Sequence, residues 1–107
     1  MALDIFIFDF HENVEKSISL YLDEYDKIME YIENTDDFII IRKAMSDYYG
    51  EHEIYLNELE NLNKEALNLK DVFKSSHSNA LNIFIDDFLS LVDYALKYQR
   101  TIKFIGD

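Results

Sequence analysis

The sequence predicts a mostly α domain, a four-helix bundle-like body with short N- and C-terminal β-strands that pair (β-α-α-α-α-β). Three observations carry the prediction. The 107 residues contain no proline and only two glycines, Gly50 and Gly106, fewer turn residues than a β-rich chain needs. Apolar residues recur every three or four positions through the middle of the chain, the period of a helix with one buried face. At both ends the period drops to two, the signature of a strand.

The first element covers residues 2–10. Leu3, Ile5 and Ile7 alternate with Asp4, Phe6 and Phe8, a strand with both faces at least partly covered. From about Glu12 to Asn34 the residues Val14, Ile18, Tyr21/Leu22, Tyr25, Ile28/Met29 and Ile32 form an amphipathic stripe and predict the first helix. Asn34-Thr35-Asp36-Asp37 breaks it, and Asp36 or Asp37 is placed to cap a second helix running to Tyr49. Phe38-Ile39-Ile40-Ile41 also suits a strand; the helix is preferred because Phe38, Ile41, Met45 and Tyr48 share a face. Gly50 then falls where a left-handed helix end is wanted.

A third helix is predicted from about His52 to Phe73. Tyr55, Leu59, Leu62, Ala66, Leu69 and Phe73 make a seam spaced as heptad a and d positions. A core-facing stripe is preferred to a dimeric coiled coil, since the other helices need the same partner. Ser75-Ser76-His77-Ser78 separates it from a fourth helix, about Ser78 to Arg100, whose basic residues Lys97 and Arg100 suit the negative end of its dipole. The run Thr101 to Ile105 alternates again and predicts the closing strand, paired with the first.

One core is expected over residues 1–107, with 49% apolar residues to fill it. The absence of cysteine excludes disulfides, thiolate metal sites and a cysteine nucleophile. His11, His52 and His77 lack the spacing of a helical zinc pair, and no serine sits in a nucleophile elbow. Asp36-Asp37 and Asp86-Asp87 lack the alternating ligands and glycine of a calcium loop. The expectation is a binding protein, not an enzyme, with no cofactor. The start Met1-Ala2-Leu3-Asp4 has no basic segment ahead of an apolar one, and the apolar runs fall short of the ~20 residues that span a bilayer. A cytoplasmic site is expected.

Charge is the most unusual property. Twenty-two acids face ten bases, a formal −12, which disfavours direct contact with nucleic acid or an anionic membrane and favours a basic protein surface. No Lys or Arg occurs between Ala44 and Asn63. That stretch supplies the first candidate partner-binding set, Asp47, Tyr48, Tyr49, Glu51, Glu53, Glu58 and Glu60, in which tyrosines give contact area and carboxylates give steering. A second candidate patch is Asp23, Asp26, Glu30, Glu33, Asp36 and Asp37, with Lys27 as the base among them. Each set also suits a merely solvated helix face.

Two ends of the chain, Leu3-Asp4-Ile5-Phe6-Ile7-Phe8 and Ile102-Lys103-Phe104-Ile105-Gly106-Asp107, together with the small acidic helical plan, resemble immunity proteins of bacterial contact-dependent growth inhibition systems. The resemblance implies a role rather than site residues: neutralisation in the cytoplasm of a toxin domain, often a basic nuclease or RNase, by occluding its active site. The partner would be a basic, nuclease-like protein domain, and the chain a monomer or weak homodimer. The alternatives are an acidic nucleic-acid mimic that inhibits a defence enzyme, and a helical adaptor that dimerises through the Tyr55–Phe73 seam.

Overall fold

The computed structural model describes residues 2–46 and 48–106. Its elements in chain order are β1 (Ala2–Phe8), β2 (Val14–Tyr21), α1 (Leu22–Ile32), a 3₁₀ turn (Asp36–Phe38), α2 (Ile39–Ala44), β3 (Glu51–Ile54), a second 3₁₀ turn (Leu56–Glu58), α3 (Leu59–Lys74), α4 (Asn79–Tyr98) and β4 (Ile102–Gly106). Among the described residues four strands form one antiparallel sheet in the order β2-β1-β4-β3. The fold is therefore α+β, and the four-helix bundle with only terminal strands is overturned. Strands from the two ends of the chain do pair, Leu3 opposite Gly106 and Ile5 opposite Phe104, but as the centre of a larger sheet.

Two predicted helices lose their N-terminal segments to this sheet. Residues 14–21 form β2, in a hairpin with β1 that sets Ile18 opposite Ile5 and Leu20 opposite Leu3. A helix there would leave the exposed edge of β1 without a hydrogen-bonding partner, and ladder formation outweighs a local stripe. The hairpin turn needs neither glycine nor proline: the Asp9 carboxylate accepts from the backbone N–H of His11 and of Asn13, both at 2.8 Å, while Glu12 takes the left-handed conformation at φ 62°. The segment given to the start of the third helix is β3, which pairs His52 with Phe104 and Ile54 with Ile102. Tyr55, assigned to the heptad seam, lies beyond it and is 56% exposed.

Segment 38–41 is helical: Phe38 ends the first 3₁₀ turn and Ile39 opens α2. The helix stops at Ala44 rather than Tyr49, and Gly50 is not left-handed. Asp36 and Asp37 do not cap α2. Thr35 accepts from the Asp37 N–H at 3.2 Å, and α2 is capped from a distance by Glu65 of α3, whose carboxylate accepts from the N–H groups of Ile40 and Ile41 at 3.0 Å.

Leu3, Ile5 and Ile7 of β1, with Ile54, Ile102 and Phe104, are buried against the helices. From the helices come Ile28 and Ile32, Ile41, then Leu62, Ala66, Leu69 and Phe73 of the predicted seam, then Ile85, Phe88 and Val92. Phe88 meets Phe104 edge-on at 6.1 Å between ring centroids, which seats α4 on the middle of the sheet. Alternate strand residues point the other way and, Ala2 at the start of β1 apart, none is buried, so the sheet has one helix-covered face and one face open to solvent.

Candidate binding surfaces

The base-free stretch does not fold into one face. Asp47 lies outside the described residues. Tyr48 is 5% exposed, its ring edge-on to Tyr25 at 4.6 Å and its hydroxyl donating to the Leu20 carbonyl at 3.4 Å, which makes it a core residue. Tyr49 is 59% exposed. Glu51 and Glu53 sit on β3 opposite Ile105 and Lys103, and Glu53 accepts from the Thr101 hydroxyl at 3.0 Å. The Glu58 carboxylate is turned back onto the Tyr55 N–H at 3.3 Å, and Glu60 stands exposed in the first turn of α3. Tyr49, Glu51 and Glu60 thus stand exposed from that set, with Glu53 half-buried.

Glu51 and Glu53 belong to the open sheet face. Its middle is aromatic: Phe6 and Phe8 lie 5.4 Å apart between ring centroids, with Lys103 Nζ 5.6 Å from the centroid of Phe8. Asp4, which accepts from the Ser19 hydroxyl at 2.6 Å, lies opposite Ile105 at the far end of that strip.

The second set is more coherent. Asp23, Asp26, Glu30 and Glu33 follow one another at spacings of three and four residues, opposite the buried Ile28 and Ile32, and all four are exposed. Asp36 and Asp37 lie past the end of α1, exposed in the 3₁₀ turn, where they border a hollow with Lys64 and Asn68 of α3. Asp36 lies 3.8 Å from Arg42, with its side chain almost wholly in solvent, so the pair does little to neutralise it. Lys27 remains the base along this ridge.

A groove that sequence reasoning missed runs between β2 and α4. Its larger hollow, about 470 Å³, is lined by Ile18, Leu20, Ile83 and Phe84, with Glu24 and Asp87 at its rim. A second hollow of about 310 Å³ continues it toward Lys16 and Leu91, sharing Ser17, Ile18 and Asp87. Periodicity could not have shown it, because it exists only once residues 14–21 are a strand.

The densest charged cluster ties the sheet to the last helix. Arg100 Nε donates to Glu15 Oε1 at 2.7 Å, and the Tyr94 hydroxyl donates to Glu15 Oε2. The hydrogen bond from Arg100, then that from Tyr94, holds the Glu15 carboxyl below its ordinary value; the same contacts push Tyr94 and Arg100 up. Asp9 is likewise held low, chiefly by the backbone N–H of Asn13. The guanidinium of Arg100 also covers the ring of Phe10 at 4.5 Å. This cluster is a half-buried clasp in which Glu15, Tyr94 and Arg100 satisfy one another.

Among the described residues no three His, Cys, Asp or Glu side chains gather as a metal would require, and no helix is long and apolar enough to cross a membrane. No family model, curated protein or solved structure matches the chain.

Proposed function

We propose that this chain is an immunity protein: a cytoplasmic, non-enzymatic inhibitor that binds a basic, nuclease-like toxin domain and occludes its active site without a cofactor. The acidic ridge of α1 carries the reading. Four exposed carboxylates share one helix face, with Lys27 interleaved, and Asp36 and Asp37 stand exposed a few residues past its end, Arg42 being the loose partner of Asp36. Such a ridge attracts a cationic phosphate-binding cleft and speeds its capture toward ~10⁸–10⁹ M⁻¹s⁻¹ at low salt. The heptad seam favours no adaptor, since Leu59, Leu62, Ala66, Leu69 and Phe73 are consumed by the core.

The test is a titration of the toxin domain encoded beside the gene. Reversal of Asp26, Glu30 and Glu33 to Lys should slow association at least tenfold at low salt and leave the melting curve unchanged, while Glu51→Lys with Glu53→Lys probes the open sheet face. A toxin that is neither bound nor neutralised by the unaltered protein sinks the reading. The regular spacing of the α1 row, about 4.5–6 Å along the axis, keeps the nucleic-acid mimic as the second reading. A mimic would compete with duplex DNA for a DNA-binding defence enzyme, and an immunity protein would not.

A further inference from the structure

The two edges of the sheet are built differently. β3 is four residues long and carries Glu51 and Glu53, a short and charged edge of the kind that resists pairing. β2 is eight residues long, and from Ser17 to Tyr21 it carries no charge. Along those five residues alternate N–H and C=O groups point away from β1, a template for another strand, with the Leu20 carbonyl already accepting from the Tyr48 hydroxyl. The groove toward α4 lies along this same edge, and Ile83 on its far wall is 62% exposed, more than any other large aliphatic side chain among the described residues. Phe84 and Ile18 floor it.

We infer that β2 takes up an extended segment of a basic partner protein as a fifth strand, with alternate apolar side chains pressed into the groove against Ile18, Ile83 and Phe84. Backbone pairing supplies affinity in such strand addition, and the pockets for alternate side chains supply selectivity. Charge names the occupant. Glu24 and Asp87 stand at the rim, and neither is engaged by an ion pair among the described residues. Lys16, the base in the groove, lies at its far end with Nζ 5.2 Å from the centroid of the Tyr94 ring. A second copy of this chain would bring a further −12 to the same edge, whereas lysines and arginines flanking an apolar strand meet both carboxylates. The inference rests on the protein-binding reading above and names where the partner's chain enters.

The experiment uses the whole protein and two synthetic peptides, one alternating valine with lysine and one alternating valine with glutamate. The lysine peptide should slow hydrogen exchange at alternate amides between Ser17 and Tyr21, and the glutamate peptide should not. Ile83→Ser and Asp87→Lys, both at solvent-facing positions, should each weaken that binding at least tenfold with the melting curve preserved. Protection that is absent, that falls elsewhere, or that both peptides produce alike overturns the inference. A dimer that protects β2 without peptide also overturns it, since the occupant is then a second copy. If the toxin binds while the β2 amides still exchange freely, the fifth strand is discarded and the inhibitor stands. If the peptide enters β2 and no toxin is bound, the inhibitor is discarded and the fifth strand stands.

Discussion

Arg100 and Glu15 meet at 2.7 Å across 85 positions of the chain, and the contact fastens the end of α4 to the first half of β2. Tyr94 completes it from one turn earlier on α4. Because Glu15 is held below its ordinary value in the fold, its contribution to stability is present above the unfolded carboxylate range and is lost as pH falls through the depressed value. Tyr94 is raised, so its share is complete below the ordinary tyrosine value and is lost only as alkaline pH passes the raised one. In urea melts run from neutral pH down to about 2, the gap between the unaltered protein and Glu15→Gln should narrow steadily with acidification. A gap that stays constant would show that Glu15 acts through packing alone.

Glu65 offers a second test, because it performs at long range what a capping residue normally does within its own helix. Glu65→Ala leaves the Ile40 and Ile41 N–H groups without their acceptor and should cost about 1–2 kcal/mol, a fall in melting temperature of roughly 4–15 °C. Glu65→Gln keeps an acceptor oxygen and should recover part of it. Equal losses in the two variants would mean that the carbonyl of the amide cannot reach those amides.

Gly106 is required by proximity rather than by a special backbone angle. A Cβ there would stand 1.8 Å from the Tyr48 carbonyl oxygen, and its N–H already donates to the Gly50 carbonyl at 2.8 Å. Gly106→Ala should therefore push segment 48–50 off β4 and destabilise by about 1–3 kcal/mol. A melting temperature equal to that of the unaltered protein would contradict the packing of this segment.

Leu62→Glu separates the core from a dimer interface. Leu62 is fully buried beside Leu59, Ala66 and Leu69, so a carboxylate there has no solvent to reach. Circular dichroism should report loss of the cooperative melt. A folded monomer released from a dimer would instead restore the coiled-coil seam.

What could be read from the residues follows the range of the interactions involved. α3 beyond Leu59 and α4 announce themselves because their stripes face one core and the serine-rich turn Ser75–Ser78 separates them. β1 and β4 announce themselves because alternation survives on both faces. β2 and β3 do not, since Val14, Ile18 and Leu22 also satisfy a helical period, and residues 51–54 are too few to show any period. Their strand state is set by partners far along the chain, Ile5 for Ile18 and Phe104 for His52. The same holds for the candidate surfaces. The α1 acids were visible as a run, whereas Tyr48 was drawn inward by Tyr25 and Leu20, and the groove awaited the placing of β2 beside α4.

The central position of β4 governs how the molecule is made. Its partner β1 is synthesised first, yet the pairing of Leu3 with Gly106 closes a loop of nearly the whole chain, at an entropic cost of about 4 kcal/mol for ~100 residues. Until residues 102–106 leave the ribosome, a nascent chain can form the β1–β2 hairpin but holds the inner edge of β1, the backbone groups of residues 3–6, without its strand partner. Folding should thus complete in one late step, with the final five strand residues deciding whether the sheet closes on itself or on a neighbouring chain.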